Sequence, residues 1–294
     1  MQSITTEIRR ANVQLLVLGG SGRLGRLLRA VWSRPGVAAP ETVWQARRPG
    51  EFAAFGGPST VFDPLQDPVA LRDAVGAARA VLMLAGPTRG SPEDLAQHAA
   101  LAGAVLAVAE GRPVLLASSA AVYGVPGDGP CREEDVLAPL SDYGRAKARM
   151  EEVALRVPGA HVLRIGNVAG ADALLGARAP AEGRRLHVFP AGHAPRRSYI
   201  GPQALACALA RMVRLAAAGA PLPDVVNLSL PGVVGMEALL RAAGEIWQAE
   251  PAPKGVIETV ELAVDRAIGL GLVADLPVTA AAVLADLRSV TEAP

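Results

Sequence analysis

The run Leu15-Leu16-Val17-Leu18-Gly19-Gly20-Ser21-Gly22-Arg23-Leu24-Gly25 passes from four apolar residues directly into a cluster of glycines. The apolar tetrad reads as a buried strand, and Arg23 to Ser33 as the helix that follows it. Glycines allow the tight turn between the two and let a pyrophosphate approach the backbone. The helix N-terminus then offers free amides and its dipole to the phosphates. The spacing fits Gly-x-Gly-x-x-Gly at 20, 22 and 25 and Gly-x-x-Gly-x-x-Gly at 19, 22 and 25. Spacing alone leaves the subclass open, but the strand-to-helix context is the one a dinucleotide site requires.

Working outward, apolar runs alternate with amphipathic stretches. Val13 to Leu18, Thr42 to Ala46, Ala80 to Ala85, Pro113 to Ala117 and Ala160 to Ile165 read as buried strands, with Val61 and Phe62 a shorter one. Pro68 to Gly76, Pro92 to Glu110 and Asp142 to Val157 read as further helices. This alternation predicts an α/β fold, a Rossmann-type doubly wound parallel sheet that binds ligands beyond the carboxyl ends of its strands. Residues 1–165 are expected to form the dinucleotide-binding domain and 166–294 mainly a small C-terminal substrate-binding lobe. Gly166 to Ser198, rich in Gly, Ala, Pro and Arg, reads as a substrate-facing excursion. Beyond it, Gln203 to Ala218 reads as a helix that packs on the first domain, and Val225 to Ser229 as a strand. Val233 to Gln248 and Thr279 to Val290 read as helices. There is no internal repeat or low-complexity linker.

Composition narrows the function classes. The 294 residues are 51% apolar and 19% charged, as in a globular protein, and the 3% aromatic content leaves alanine, leucine and valine to fill the core. A formal net charge of +1 gives no electrostatic case for nucleic acid or an anionic membrane. Cys131 and Cys207 make no disulfide framework, and neither they nor the four histidines have metal-ligand spacing, so no metal is expected. The charged start (Glu7, Arg9, Arg10) is unlike a signal peptide, and no apolar run is long enough for a membrane span. A cytoplasmic protein acting on a small molecule is the expectation.

Tyr143 and Lys147 stand four residues apart in Ser141-Asp142-Tyr143-Gly144-Arg145-Ala146-Lys147. The chain has only three tyrosines and two lysines, so the match arises by chance in roughly 2% of shuffled sequences. On a helix the spacing places phenol and ammonium on one face. The cation is expected to pull the tyrosine pKa down, readying the phenol to exchange a proton with a substrate hydroxyl.

The glycine loop, then Ser118-Ser119-Ala120-Ala121-Val122-Tyr123-Gly124, then Tyr143-x-x-x-Lys147, together resemble the extended short-chain dehydrogenase/reductases. These form the NAD(P)-dependent epimerase/dehydratase family, and the resemblance covers nearly the whole chain. It implies that Ser119 hydrogen-bonds the substrate oxygen, that Tyr143 is the general acid/base, and that Lys147 holds the nicotinamide ribose. It also implies cofactor contacts from Gly19, Gly22, Arg23, Leu24, Gly25, Leu84, Ala85 and Gly86, with Asp63 at the adenine. Glu151 after Lys147 matches the family's catalytic helix. On the substrate side it implies contacts from Asn167 and from Arg197, which suits an anionic group. Relatives often dimerise through the helices near residues 92–110 and 142–157, so a homodimer is part of the resemblance.

The chain departs from the family at informative places. Where NAD sites carry an acidic residue, the second strand ends Gln45-Ala46-Arg47-Arg48, so Arg47 and Arg48 favour NADP over NAD. Only about fifteen residues separate Gly170 from Leu186, a short excursion. Gly201-Pro202-Gln203-Ala204 replaces a His-Val-Asp-Asp segment, His98 takes the place of a helix asparagine, and Leu18 that of a threonine. Ala120 and Ala121 stand where dehydratases carry an acidic pair. The expected function is therefore an NADP-dependent oxidoreductase or epimerase acting on a sugar, sugar derivative or related carbonyl or alcohol. The alternatives are a nucleotide-sugar epimerase or dehydratase, and a non-catalytic NADP-binding sensor.

Overall fold

The computed structural model describes residues 14–52, 57–176 and 183–292. Val13, the charged N-terminal residues and part of the Gly166–Ser198 segment lie outside the described residues. The first half alternates as expected: β1 (Leu15–Leu18), α1 (Arg23–Trp32), β2 (Thr42–Ala46), β3 (Ser59–Val61), α2 (Pro68–Ala77), β4 (Ala80–Met83), α3 (Pro92–Ala107), β5 (Val114–Ser119), α4 (Asp142–Ala154) and β6 (Ala160–Ile165). Short strands follow: β7 (Asn167–Val168), β8 (Arg184–Val188), β9 (Arg196–Arg197) and β10 (Tyr199–Ile200). The chain ends with α5 (Pro202–Ala217), β11 (Val225–Leu228), β12 (Val234–Gly235), α6 (Met236–Ala243), β13 (Trp247–Pro251), β14 (Thr259–Val260), α7 (Asp265–Gly269) and α8 (Ala280–Thr291).

Seven parallel strands form the central sheet in the order β11-β6-β5-β4-β1-β2-β3. The chain steps outward from β1 to β3 and then crosses back to β4, so the order reverses between β1 and β4. A crevice opens at that reversal, beyond the carboxyl ends of the strands. Both sheet faces are covered, which explains why β1 is apolar throughout rather than alternating. Leu15 and Val17 pack with Leu28 and Val31 of α1 and Leu205 and Leu209 of α5. Leu16 and Leu18 pack on the other face with Leu71 of α2, Leu101 and Val105 of α3, and Met150 of α4.

Strand β5 runs two residues further than the apolar run suggests, because Ser118 and Ser119 pair with Arg164 and Ile165 of β6. That pairing carries Ser119 to the crevice. The helix expected over Val233 to Gln248 is instead a strand, a short helix and a second strand. Gly244, in the left-handed region at φ 72°, caps α6, and Trp247 to Pro251 pairs in parallel with β8. A left-handed glycine cap ends the helix, and a tertiary partner that periodicity does not reveal supplies the strand. The sheet also draws on residues past 165: β11 pairs with β6, and Trp32 Nε1 of α1 donates to the Ala206 carbonyl of α5 at 3.2 Å.

The Gly201-Pro202-Gln203-Ala204 departure has a local explanation. Pro202 sits in the first turn of α5, where its missing amide is of no consequence. No side chain of the N-cap residue bonds to that turn. Asp286 of α8 takes over, accepting from the amides of Gln203 at 2.7 Å and Ala204 at 3.0 Å. Among the described residues, no helix is long and apolar enough to cross a membrane.

Candidate active site

Two adjoining cavities occupy the crevice. The second, of about 420 Å³, is lined by Gly19, Gly22, Arg47, Asp63, Leu84, Ala85 and Gly86 among others. The first, of about 260 Å³, shares Gly19, Gly22, Leu84 and Gly86 with it and adds Arg23, Leu24 and Gly25. Ser119, Tyr143, Lys147 and Asn167 line the first cavity as well. A ligand spanning both would run along the glycine loop from one chamber to the other. Arg48 is exposed, and Arg48 and Arg197 are absent from the lining of both cavities.

The loop fits a pyrophosphate for reasons that can be read from its backbone. Gly19 adopts φ 82°, and a Cβ there would come within 2.7 Å of the Ala85 backbone. A Cβ on Gly25 would run into the Gly20 carbonyl. Gly22 caps α1 with no side-chain hydrogen bond, and the first turn holds no acidic residue. The helix amides therefore remain open for an anion. Gln45 fixes the loop from below: its Oε1 accepts from the Gly19 amide at 2.9 Å and its Nε2 donates to the Phe62 carbonyl at 2.6 Å. No local motif marks Gln45, since only the fold brings the end of β2 beneath the loop.

Within the first cavity, Ser119 Oγ accepts from the Ala121 amide at 3.2 Å and hydrogen-bonds the Tyr143 phenol. Lys147, 4% exposed, donates through Nζ to the Ala117 carbonyl at 2.6 Å and lies 5.8 Å from the centre of the Tyr143 ring. The electrostatics differ from the expectation. Burial raises the Tyr143 pKa above the ordinary value for tyrosine, opposed by the Ser119 hydrogen bond and the charge of Arg23. Lys147 is not what lowers it here; burial pushes the ammonium itself down to about 7. Desolvation on the inner side of the helix outweighs the cation–phenol attraction in this state.

His98, 1% exposed, packs edge-on to Tyr143 with ring centres 5.8 Å apart. Its Nε2 lies 2.8 Å from the Pro87 carbonyl, which assigns a proton to that nitrogen. Burial and the nearby Lys147 hold its pKa at about 4. On the substrate side, Asn167 is joined by Asp172, a carboxyl that sequence reasoning did not single out. Asp172 accepts from Tyr199 Oη at 2.9 Å and from the Leu175 amide at 2.9 Å, and burial raises its pKa. Arg197 does not reach the cavity. Its guanidinium donates to the carbonyls of Arg196, Glu258 and Ile257 at 2.8, 3.1 and 2.8 Å. The pairing of β9 with β14 delivers those acceptors, which explains why the arginine turns away. Asp63 uses one carboxylate oxygen on the Leu65 amide at 2.9 Å.

The family model described as the NAD dependent epimerase/dehydratase family matches residues 15–192, which span the glycine loop, Ser119, Tyr143, Lys147 and Asn167. The chain belongs to that family. Solved structures agree in fold. A UDP-glucose 4-epimerase from Brucella ovis in complex with NAD superposes with a TM-score of 0.75, covering 94% of this chain and 97% of that one at 18% identity. An NAD-dependent NDP-hexosamine 5,6-dehydratase involved in tunicamycin biosynthesis gives 0.73, covering 95% and 98% at 20% identity. A UDP-glucose 4-epimerase from Azospirillum brasilense is 41% identical over 64 residues. That match takes in 20% of this chain and 18% of that protein's length.

Among the described residues, no group of His, Cys, Asp or Glu is arranged to hold a metal ion.

Proposed function

We propose that this family member is an NADP-dependent oxidoreductase or epimerase acting on a sugar, sugar derivative or related carbonyl or alcohol. The observation that carries the reading is the convergence of Ser119, Tyr143 and Lys147 on one cavity that opens into the glycine loop. A bound nicotinamide would supply or take the hydride. Ser119 would orient the substrate oxygen and Tyr143 Oη would exchange the hydroxyl proton. Lys147 would hold the ribose and, once charged, ease the phenol's ionisation. In the second cavity, Arg47 and the lack of an acidic residue at the end of β2 support a 2′-phosphate and hence NADP. Gly19, Gly22, Arg23, Leu24, Gly25, Leu84, Ala85, Gly86 and Asp63 are proposed as the remaining cofactor contacts.

The 260 Å³ chamber and the Arg197 guanidinium committed to three carbonyls favour a substrate smaller than a nucleotide sugar. The second reading, a nucleotide-sugar epimerase, is supported by family membership and by the neighbours described as UDP-sugar enzymes. A panel of free sugars, sugar alcohols, simple carbonyls and UDP-sugars, followed at the nicotinamide absorbance band and by product analysis, separates the two. Turnover confined to UDP-sugars would overturn the smaller-substrate reading. Tight NADPH binding with no turnover across the panel would instead favour a sensor.

A further inference from the structure

Beneath the first cavity, the strand that carries Ser119 is tied to the helix that carries Tyr143 and Lys147, in part by side chains the reaction above does not use. Ser118 Oγ of β5 donates to Glu151 Oε1 of α4. Arg164 of β6 donates to the same carboxylate, through Nε at 3.0 Å and Nη2 at 2.8 Å to Oε2. One turn earlier on α4, Lys147 Nζ donates to the Ala117 carbonyl of β5. Two successive residues of β5 are thus fastened to two successive turns of one helix face, and the next residue, Ser119, meets Tyr143 a turn earlier still. Ser118, Lys147, Glu151 and Arg164 are 5%, 4%, 1% and 4% exposed. Water cannot answer their charges, so they must answer one another.

The charged and titratable groups around Lys147 come from every packed element. From α3 comes His98, held neutral; from α4 come Tyr143 and Glu151; from β6 comes Arg164. Arg164 also donates to Tyr123 Oη at 3.0 Å and to the Glu133 carbonyl at 2.9 Å. The Glu133 carboxylate is engaged elsewhere, on the Asn227 amide at 3.0 Å. Glu151 is therefore the anion of this buried set. Burial drives the Lys147 ammonium toward neutrality and the Glu151 charge opposes that drift.

We propose that Glu151 is a positioning residue of the reaction, fastening α4 to β5 and β6 and serving as the buried counter-charge of the Lys147 ammonium. The proposal rests on the role given to Lys147 in the reading above. Its counter-charge component can be tested without substrate or cofactor. The chain's other lysine, Lys254, is exposed, so protein labelled with ¹³C at lysine Cε gives one reporter and one internal reference. Glu151→Gln keeps the size and an acceptor oxygen for Ser118 but removes the charge. The Lys147 titration midpoint is expected to fall by about one pH unit or more while Lys254 stays in place. Loosened packing would instead admit water and move Lys147 upward, toward the ordinary lysine value.

A midpoint that stays or rises in the folded variant overturns the proposal. If the single variant strands Arg164 and does not fold, Glu151→Gln combined with Arg164→Gln leaves no arginine charge stranded and should still lower the Lys147 midpoint. The fall is smaller there because a cation leaves with the anion, and its direction is set by Glu151, whose charge raises the Lys147 pKa. Ser118→Ala removes the hydrogen bond and keeps the carboxylate, so its Lys147 midpoint should match the unmodified protein. A fall in Glu151→Gln alongside full turnover in Tyr143→Phe would uphold the counter-charge and overturn the assigned reaction, so the two failures are distinguishable.

Discussion

The nucleotide end and the substrate end of the crevice are built by different means. At the nucleotide end, the work is done by backbone: glycines that only glycine can replace, an uncapped helix start, and a sheet that reverses order beside them. At the substrate end it is done by side chains that short strand pairs bring into place. Arg197 is drawn onto the carbonyls of Glu258 and Ile257, and Asp172 is held in the cavity wall by Tyr199. A backbone site leaves its signature in consecutive residues. A side-chain site of this kind depends on partners 27 to 61 positions away and leaves almost none.

The largest expected effect tests where the two ends meet. Tyr143→Phe should lower turnover by about 100- to 10,000-fold, the usual worth of a placed general acid/base, while dinucleotide affinity stays within a few-fold; stopped-flow absorbance and calorimetry separate the two. Next is the loop itself. In Gly25→Ala the added methyl must displace the Gly20 carbonyl. Overpacking of about 1–3 kcal/mol should weaken dinucleotide binding by about 10- to 100-fold. An unchanged affinity would show that the loop does not carry the nucleotide.

Legibility follows the same division. β2 and β6 have the expected boundaries, since mainly apolar runs of strand length have one comfortable place in a doubly wound sheet. Tyr143, Lys147 and Ser119 were legible because their spacing is fixed by a helix face and a strand end. The single helix expected over Val233 to Gln248 failed because Gly244 caps it early and its last residues, Trp247 and Gln248, open a strand whose partner, β8, no local pattern announces. The depressed tyrosine pKa failed for a related reason. Spacing puts Lys147 on the right face, but burial determines its charge, and burial comes from the packing of α4 on β5. The contacts of Gln45 and Asp172 and the pairing with Arg164 of Glu151, which the resemblance marks only as part of the catalytic helix, were not legible because each is made by elements that meet only in three dimensions.

Smaller effects sharpen the contrast. Arg47→Ala should reduce NADPH affinity by about tenfold, worth about 1.4 kcal/mol, and leave NADH unaffected, whereas Arg48→Ala should alter neither. Equal losses for both nucleotides would reject the 2′-phosphate assignment. His98, neutral in the folded state with a pKa of about 4 against an ordinary 6.5, contributes stability that is present above pH 6.5 and lost as the pH falls toward 4. Between those values the unfolded chain binds the extra proton, so stability should drop by up to about 1.4 kcal/mol per pH unit. Urea titrations at pH 6.5 and 5 check this, and His98→Asn should flatten the difference. Smallest of all, Arg197→Ala should cost about 1 kcal/mol of stability from its lost carbonyl hydrogen bonds with no change in KM. A raised KM would return Arg197 to the substrate.

The central claim is that the glycine-loop crevice binds a nicotinamide dinucleotide through its backbone and delivers it to Tyr143. Calorimetric titration of NADPH and NADH into the unmodified protein and into Gly25→Ala tests it most directly. The account predicts saturable binding of both nucleotides at one site per chain, tighter for NADPH and weakened in Gly25→Ala. Absence of saturable binding by either nucleotide, or binding indifferent to Gly25→Ala, would contradict it.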